Sequence, residues 1–149
     1  MTTRRIVVGL DGSDGSIAAR DWCLEHAAPL DAEVIGVAAI DLVPIVPPPA
    51  TNIGLGTFDE EALERAHAEQ LDELVAPLRD AGIPCRTMVR LGNPAGALDD
   101  IASEEDCELI VVGRRGHGGI AELLLGSVPH TLAHHARRPV VIVPAPAGS

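Results

Sequence analysis

Residues 109–128 read Leu109-Ile-Val-Val-Gly113-Arg-Arg-Gly116-His-Gly118-Gly119-Ile-Ala-Glu-Leu-Leu-Leu-Gly126-Ser127-Val128. The opening run is apolar and rich in β-branched side chains, the pattern of a parallel strand buried on both faces. Gly113 ends it, and a glycine-rich loop follows. Gly126-Ser127 then opens a segment that can continue as helix, with Ser127 placed to cap it and Pro129 tolerated in its first turn. Strand, glycine loop and helix start are the parts of an anion cradle: backbone N–H groups turn inward where no Cβ obstructs them, and the helix dipole adds partial positive charge.

Outward from that stretch, the chain alternates strands and helices. Residues 5–10 form a first buried strand, and Asp11-Gly-Ser13-Asp14-Gly15-Ser is the turn after it. Ser13 or Asp14 can cap a helix running to about Ala28, with Ile17, Ala18, Trp22 and Cys23 inward. A second strand over 33–40 completes a βαβ unit, which needs a right-handed crossover and a parallel sheet. Residues 41–57 carry Pro44, Pro47, Pro48, Pro49, Gly54 and Gly56, which exclude a regular element. A connection of that length is a lid, a binding loop or a loose insertion, and it leaves the carboxyl edge of the sheet, the rim that also holds Asp11 and Gly113.

An amphipathic helix follows over 58–81, with Leu63, Ala66, Leu71, Leu74 and Leu78 at helical spacing and Pro77 as a point of kinking or early ending. Next come a strand at 84–89, a turn at Leu91-Gly-Asn93-Pro94, a helix at 94–103 and a strand at 107–112. After the glycine loop, a helix at 127–136 and a strand at 139–143 complete the order, and residues 145–149 form a loose tail. The βαβαβαβαβ order defines one α/β domain over 1–149, with five parallel strands and helices on both faces of the sheet.

Composition narrows the partners. The 149-residue chain has a formal net charge of −11, and all 11 of its cationic residues are arginine. Nucleic acid and anionic membrane both require a basic face, so neither is expected. One Phe, one Trp and no Tyr leave little surface for base stacking. Cys23, Cys85 and Cys107 are odd in number and widely spaced, which argues against a disulfide framework or zinc knuckle and fits a reducing cytoplasm. Neither a leader-like apolar stretch near Met1 nor a run of membrane-spanning length stands in the sequence.

Several motifs fail on inspection. A P-loop needs Gly-Lys-Ser/Thr, and there is no lysine. Gly116-His-Gly118-Gly-Ile-Ala121 has the outline of a dinucleotide fingerprint, yet it follows the fourth strand, and twenty residues on stand Val140 and Val141, not an acid. Ser13 lacks the first glycine of a nucleophile elbow and reads as a helix cap. His130 and His134 have i, i+4 spacing without a further Glu or Cys to close a zinc site, so they read as exposed helix residues. Asp11, at the end of the first strand, either contacts a ligand or forms an Asx turn, and the two roles are compatible. Arg114, Arg115 and His117 either offset the negative charge where phosphates approach or point to solvent.

The whole pattern resembles the universal stress proteins. The resemblance rests on Arg5-Ile-Val-Val-Gly-Leu-Asp-Gly-Ser, Val89-Arg-Leu-Gly-Asn-Pro-Ala, Asp106-Cys-Glu-Leu-Ile-Val-Val-Gly-Arg-Arg-Gly-His-Gly-Gly, Leu124-Leu-Gly-Ser-Val and Arg138-Pro-Val-Val-Ile-Val-Pro. Gly113, two residues, Gly116, nine residues and Gly126-Ser127 match the spacing of the subclass that binds ATP. The resemblance implies a Rossmann-like sheet in the order 3-2-1-4-5, a homodimer, and bound ATP with or without Mg2+. Carried over residue by residue, Gly113, Gly116, Gly126, Ser127 and Val128 would surround ribose and phosphates. Gly9, Asp11 and Val112 would line the inner pocket, and Ala39 would meet the adenine by its backbone, where the family usually has a larger apolar residue. In that strand order Val140–Val143 is an uncharged edge, apolar on both faces, which invites pairing with a second copy.

Three functions compete on this reading. The first is a nucleotide-binding regulatory module with an unknown protein partner. The second is a slow ATPase or adenylyl-transferring enzyme, which needs a second pocket that only residues 41–57 can supply. The third is a dimeric scaffold without nucleotide. With no general base, lysine or dedicated metal set in view, rapid phosphoryl transfer is not expected.

Overall fold

Burial runs without alternation along the inner strands, which only a two-sided core explains. The computed structural model describes residues 4–42, 59–115 and 125–145. In β1 (Arg4–Gly9), Ile6, Val7 and Val8 are all fully buried although successive side chains point to opposite faces. The remaining strands are β2 (Ala32–Ile40), β3 (Cys85–Leu91), β4 (Leu109–Gly113) and β5 (Val140–Val143). They form one sheet in the order β3-β2-β1-β4-β5, with every neighbouring pair parallel.

Among the described residues four helices cover the two faces: α1 (Asp14–His26), α2 (Glu60–Asp80), α3 (Pro94–Glu104) and α4 (Ser127–His135). Ile6, Val8 and Val34 pack with Cys23 of α1 and Leu71, Val75 and Leu78 of α2. Val7, Ile35 and Ile110 pack with Ile101 of α3 and Leu132 of α4 on the other face. Fully burying a side chain of this size is worth about 1.5–3 kcal/mol, so these two layers carry the fold without metal or disulfide. The three cysteines are free.

Two expectations for α2 change. Ala66 is exposed, and the buried residues are Leu71, Val75 and Leu78, in the half of the helix that lies over the sheet. Gly36 permits the approach: a Cβ there would stand 2.9 Å from Val75 Cγ1. Pro77 does not end the helix, which runs on to Asp80. The carbonyl that loses its N–H partner belongs to Glu73, an exposed residue that water can serve. Elsewhere the elements begin or end within two residues of their expected bounds.

Candidate functional site

The strand order reverses direction at β1, with β2 on one side and β4 on the other, so the loops leaving the carboxyl ends of β1 and β4 border the crevice characteristic of this architecture. The first loop is organised by Asp11. Ser13 donates its backbone N–H to Asp11 Oδ1 at 2.9 Å, and its hydroxyl donates to the same oxygen. Gly12 makes the turn at φ +84°, a left-handed conformation that L side chains rarely adopt. Ser13 is the N-cap of α1, its Oγ accepting from the Ser16 N–H at 3.2 Å. The Asx turn is thus formed, and it fixes the orientation of an exposed carboxylate at the rim.

Gly113 has a packing role that its place in the glycine motif did not disclose. A Cβ at Gly113 would collide with the backbone of Gly15, and a Cβ at Gly15 would collide with the carbonyl of Arg115. The first turn of α1 is therefore seated backbone to backbone on the end of β4. Gly15 was missed in the sequence, although a signal existed: a glycine inside a helix costs about 1 kcal/mol relative to alanine and needs a reason.

The start of α4 corrects the sequence reading. Gly126, not Ser127, is the N-cap, with extended backbone at φ −64° and ψ 166°. The first helical hydrogen bond runs from the His130 N–H to the Gly126 carbonyl at 3.0 Å, which makes Ser127 the first residue inside the helix. Its side chain lies on the exposed surface, and among the described residues no side-chain cap hydrogen bond closes this N-terminus. Gly126 also donates its N–H to the Arg114 carbonyl at 2.9 Å, tying the start of α4 to the loop that leaves β4. A Cβ on Gly126 would sit 3.3 Å from both Arg114 O and Arg115 Cα.

The other candidates divide. Gly9 and Val112 belong to the core against α3: a Cβ at Gly9 would be 3.0 Å from Leu98 Cδ1, and the Val112 side chain is buried. Ala39 is half-buried near the carboxyl end of β2, in register with Arg90. Val128 is half-buried behind Ser127, and Arg114 and Arg115 are half-buried with interactions of their own. Gly116 and His117 lie outside the described residues, as do residues 43–57 of the long connection and 146–149 of the tail.

No thiol is poised for chemistry. Burial pushes Cys23 up to about 12 and Cys107 up to about 11, and burial raises Cys85 as well, so all three are protonated at neutral pH. Among the described residues no group of three His, Cys, Asp or Glu is arranged to hold a metal ion. No described helix is long and apolar enough to cross a membrane.

A five-stranded parallel sheet in this order, with glycine backbone at the switch-point rim, defines a Rossmann-like α/β protein. The universal stress protein family model matches residues 2–144, and the chain belongs to that family. It is 32% identical over 143 residues to universal stress protein MJ0531 of Methanocaldococcus jannaschii, covering 96% of this chain and 83% of the relative. Among solved structures, a universal stress protein in complex with cAMP is 28% identical with a TM-score of 0.66, covering 98% of this chain and 100% of that one. The universal stress protein from Archaeoglobus fulgidus in complex with dAMP is 24% identical with a TM-score of 0.68, covering 96% and 99%; this likeness speaks for the fold.

Proposed function

We propose that the chain holds an adenine nucleotide, ATP, at the carboxyl rim of its sheet and acts as a nucleotide-dependent regulatory module of the stress response, a single domain working in the cytoplasm. The observation that carries this reading is the tie between the Gly126 N–H and the Arg114 carbonyl. It joins two glycine-bearing segments into one cradle at the start of a helix whose N-cap, Gly126, has no side chain. Backbone amides and the helix dipole suit an anion without any lysine. The relative crystallised with cAMP supports the adenine half of the ligand.

In this reading Gly113, Gly116, Gly126, Ser127 and Val128 surround ribose and phosphates. Gly9 and Val112 border the inner pocket through backbone atoms, since the packing described above occupies their other side. Asp11 turns its carboxylate toward the ribose or toward Mg2+ carried with the phosphates, and Ala39 meets the base by its backbone. A second copy pairs along Val140–Val143, where four uncharged apolar residues form the last strand of the sheet. Light scattering at micromolar concentration then reports a dimer, and a monomer would count against the pairing.

Mass spectrometry of ligand released by acid from freshly purified protein is expected to show an adenine nucleotide. Calorimetry with ATP and Mg2+ is expected to give saturable heat, lost at least tenfold in Gly126→Val with the far-ultraviolet spectrum intact. Absence of heat at millimolar nucleotide would end the proposal. Vigorous hydrolysis abolished by Asp11→Ala would replace it with an enzyme.

A further inference from the structure

Helix α4 carries three exposed histidines, His130, His134 and His135, that the nucleotide reading leaves unused. His130 and His134 stand one helical turn apart and share a face. Their ring centroids are 4.7 Å apart, with the planes inclined by 53°. Two imidazoles bound to one cation at about 2.0–2.1 Å, with an N–metal–N angle of about 90° to 109°, hold their centroids about 4.5–5.2 Å apart. The observed separation lies inside that window. From this geometry we infer that His130 and His134 form a surface site for a borderline divalent cation, Cu2+, Ni2+ or Zn2+, with water completing the coordination sphere.

The rest of the surroundings sets the character of the site. His135 stands 6.2 Å from His134, outside the window, and it lines the groove between α3 and α4 with Asp99 and Thr131. With no third His, Cys, Asp or Glu completing the set among the described residues, the site is open and not of the closed structural type. Hard cations such as Mg2+ and Ca2+ favour carboxylate and carbonyl oxygen, so they are poor occupants. Cu2+ binds tightest of the three in a nitrogen site of this kind. His134 lies in the last turn of α4, where the helix dipole favours positive charge.

The test is titration of untagged, nucleotide-free protein with CuCl2, NiCl2 and ZnCl2 by calorimetry, with electron paramagnetic resonance for Cu2+. One equivalent should bind, tightest for Cu2+, with a resonance signature of two imidazole nitrogens. His130→Gln and His134→Gln should each weaken binding at least tenfold, while His135→Gln and Cys85→Ser leave it unchanged. All four variants should keep the wild-type circular dichroism spectrum. ZnCl2 should raise Tm in the wild type but not in His134→Gln. Binding that survives both histidine variants, or no binding at all, overturns the inference. ATP calorimetry on His134→Gln keeps the outcome separate from that of the nucleotide reading.

Discussion

The two ends of the sheet are built by opposite means. At the carboxyl rim the structure depends on missing side chains: Gly15 against Gly113, Gly126 as a bare cap, and Gly12 in a left-handed turn. The amino-terminal edge is held by long charged ones. Arg86 donates from Nε to Glu33 Oε1 at 2.9 Å and from Nη2 to Glu105 Oε2 at 3.1 Å, while Arg5 donates from Nη1 to the Glu105 carbonyl at 3.0 Å. Arg138 adds a contact to Asp106 at 3.0 Å and Arg4 one to Glu108 at 3.5 Å. Where Gly15 meets Gly113, two backbones in contact have no rotamer with which to yield, so that seam tolerates no addition. Exposed ion pairs sit in water that replaces them cheaply, so the edge tolerates removal. The end proposed to bind the ligand is accordingly the more fragile to substitution.

The largest expected effect tests that fragility. Gly113→Ala or Gly15→Ala should each cost about 3 kcal/mol or more, because a methyl group would have to displace main chain. Urea unfolding measures it, and a cost below about 1 kcal/mol would mean that the two backbones are not in firm contact.

A second effect comes from the buried thiols. The folded values of about 12 for Cys23 and about 11 for Cys107 lie above the ordinary thiol value of 9.0. Their contribution to stability is therefore complete below about pH 9 and lost as pH rises through the folded values. The chain has neither Lys nor Tyr, so its cysteines dominate titration in that window. Unfolding free energy should fall by up to about 1.4 kcal/mol per pH unit for Cys23 and by less for Cys107. Urea midpoints at pH 8 and 10.5 should converge in a Cys23→Ala/Cys107→Ala double variant.

Asp11→Ala removes the acceptor that organises Ser13 and should cost about 1 kcal/mol, with Asp11→Asn recovering much of it. Thermal melts of the two variants side by side are the check. The smallest effect belongs to the charged edge: Arg86→Ala should cost about 0.2–1 kcal/mol and nothing measurable in 1 M salt. Arg86 holds the Glu105 carboxyl below its ordinary range, mainly by hydrogen bonding. That contribution is present above the ordinary carboxylate value and lost as pH falls through the lowered one, so Arg86→Ala should flatten the acid limb of the stability curve. A cost at Arg86 as large as that at Gly113 would erase the contrast between the two ends.

Much of the fold was legible because its signals are local. The apolar run Leu109–Gly113, the Ser13 cap and the Asn93-Pro94 helix start each act within a few residues, and each stands where expected. The Asx turn at Asp11 was one of the alternatives read there, and it is formed. What stayed hidden depends on distant segments. Ala66 fits the helical period as well as Leu71 does, and only the extent of the sheet beneath α2 separates them. Ser127 and Gly126 are both acceptable caps, and the choice falls to Gly126, whose N–H meets the Arg114 carbonyl while its own carbonyl accepts the first helical hydrogen bond.

From the sequence alone came the number and order of elements, the parallel two-sided core and the rim at which the glycines gather, because periodicity and capping are properties of neighbouring residues. Tertiary structure alone decided which glycine serves packing and which caps a helix, how Arg5, Glu33, Arg86 and Glu105 share their charges, and how far apart the rings of His130 and His134 stand. Gly15 and Gly113 are almost a hundred residues apart in the chain, and no local pattern encodes the meeting of two surfaces that only folding brings together.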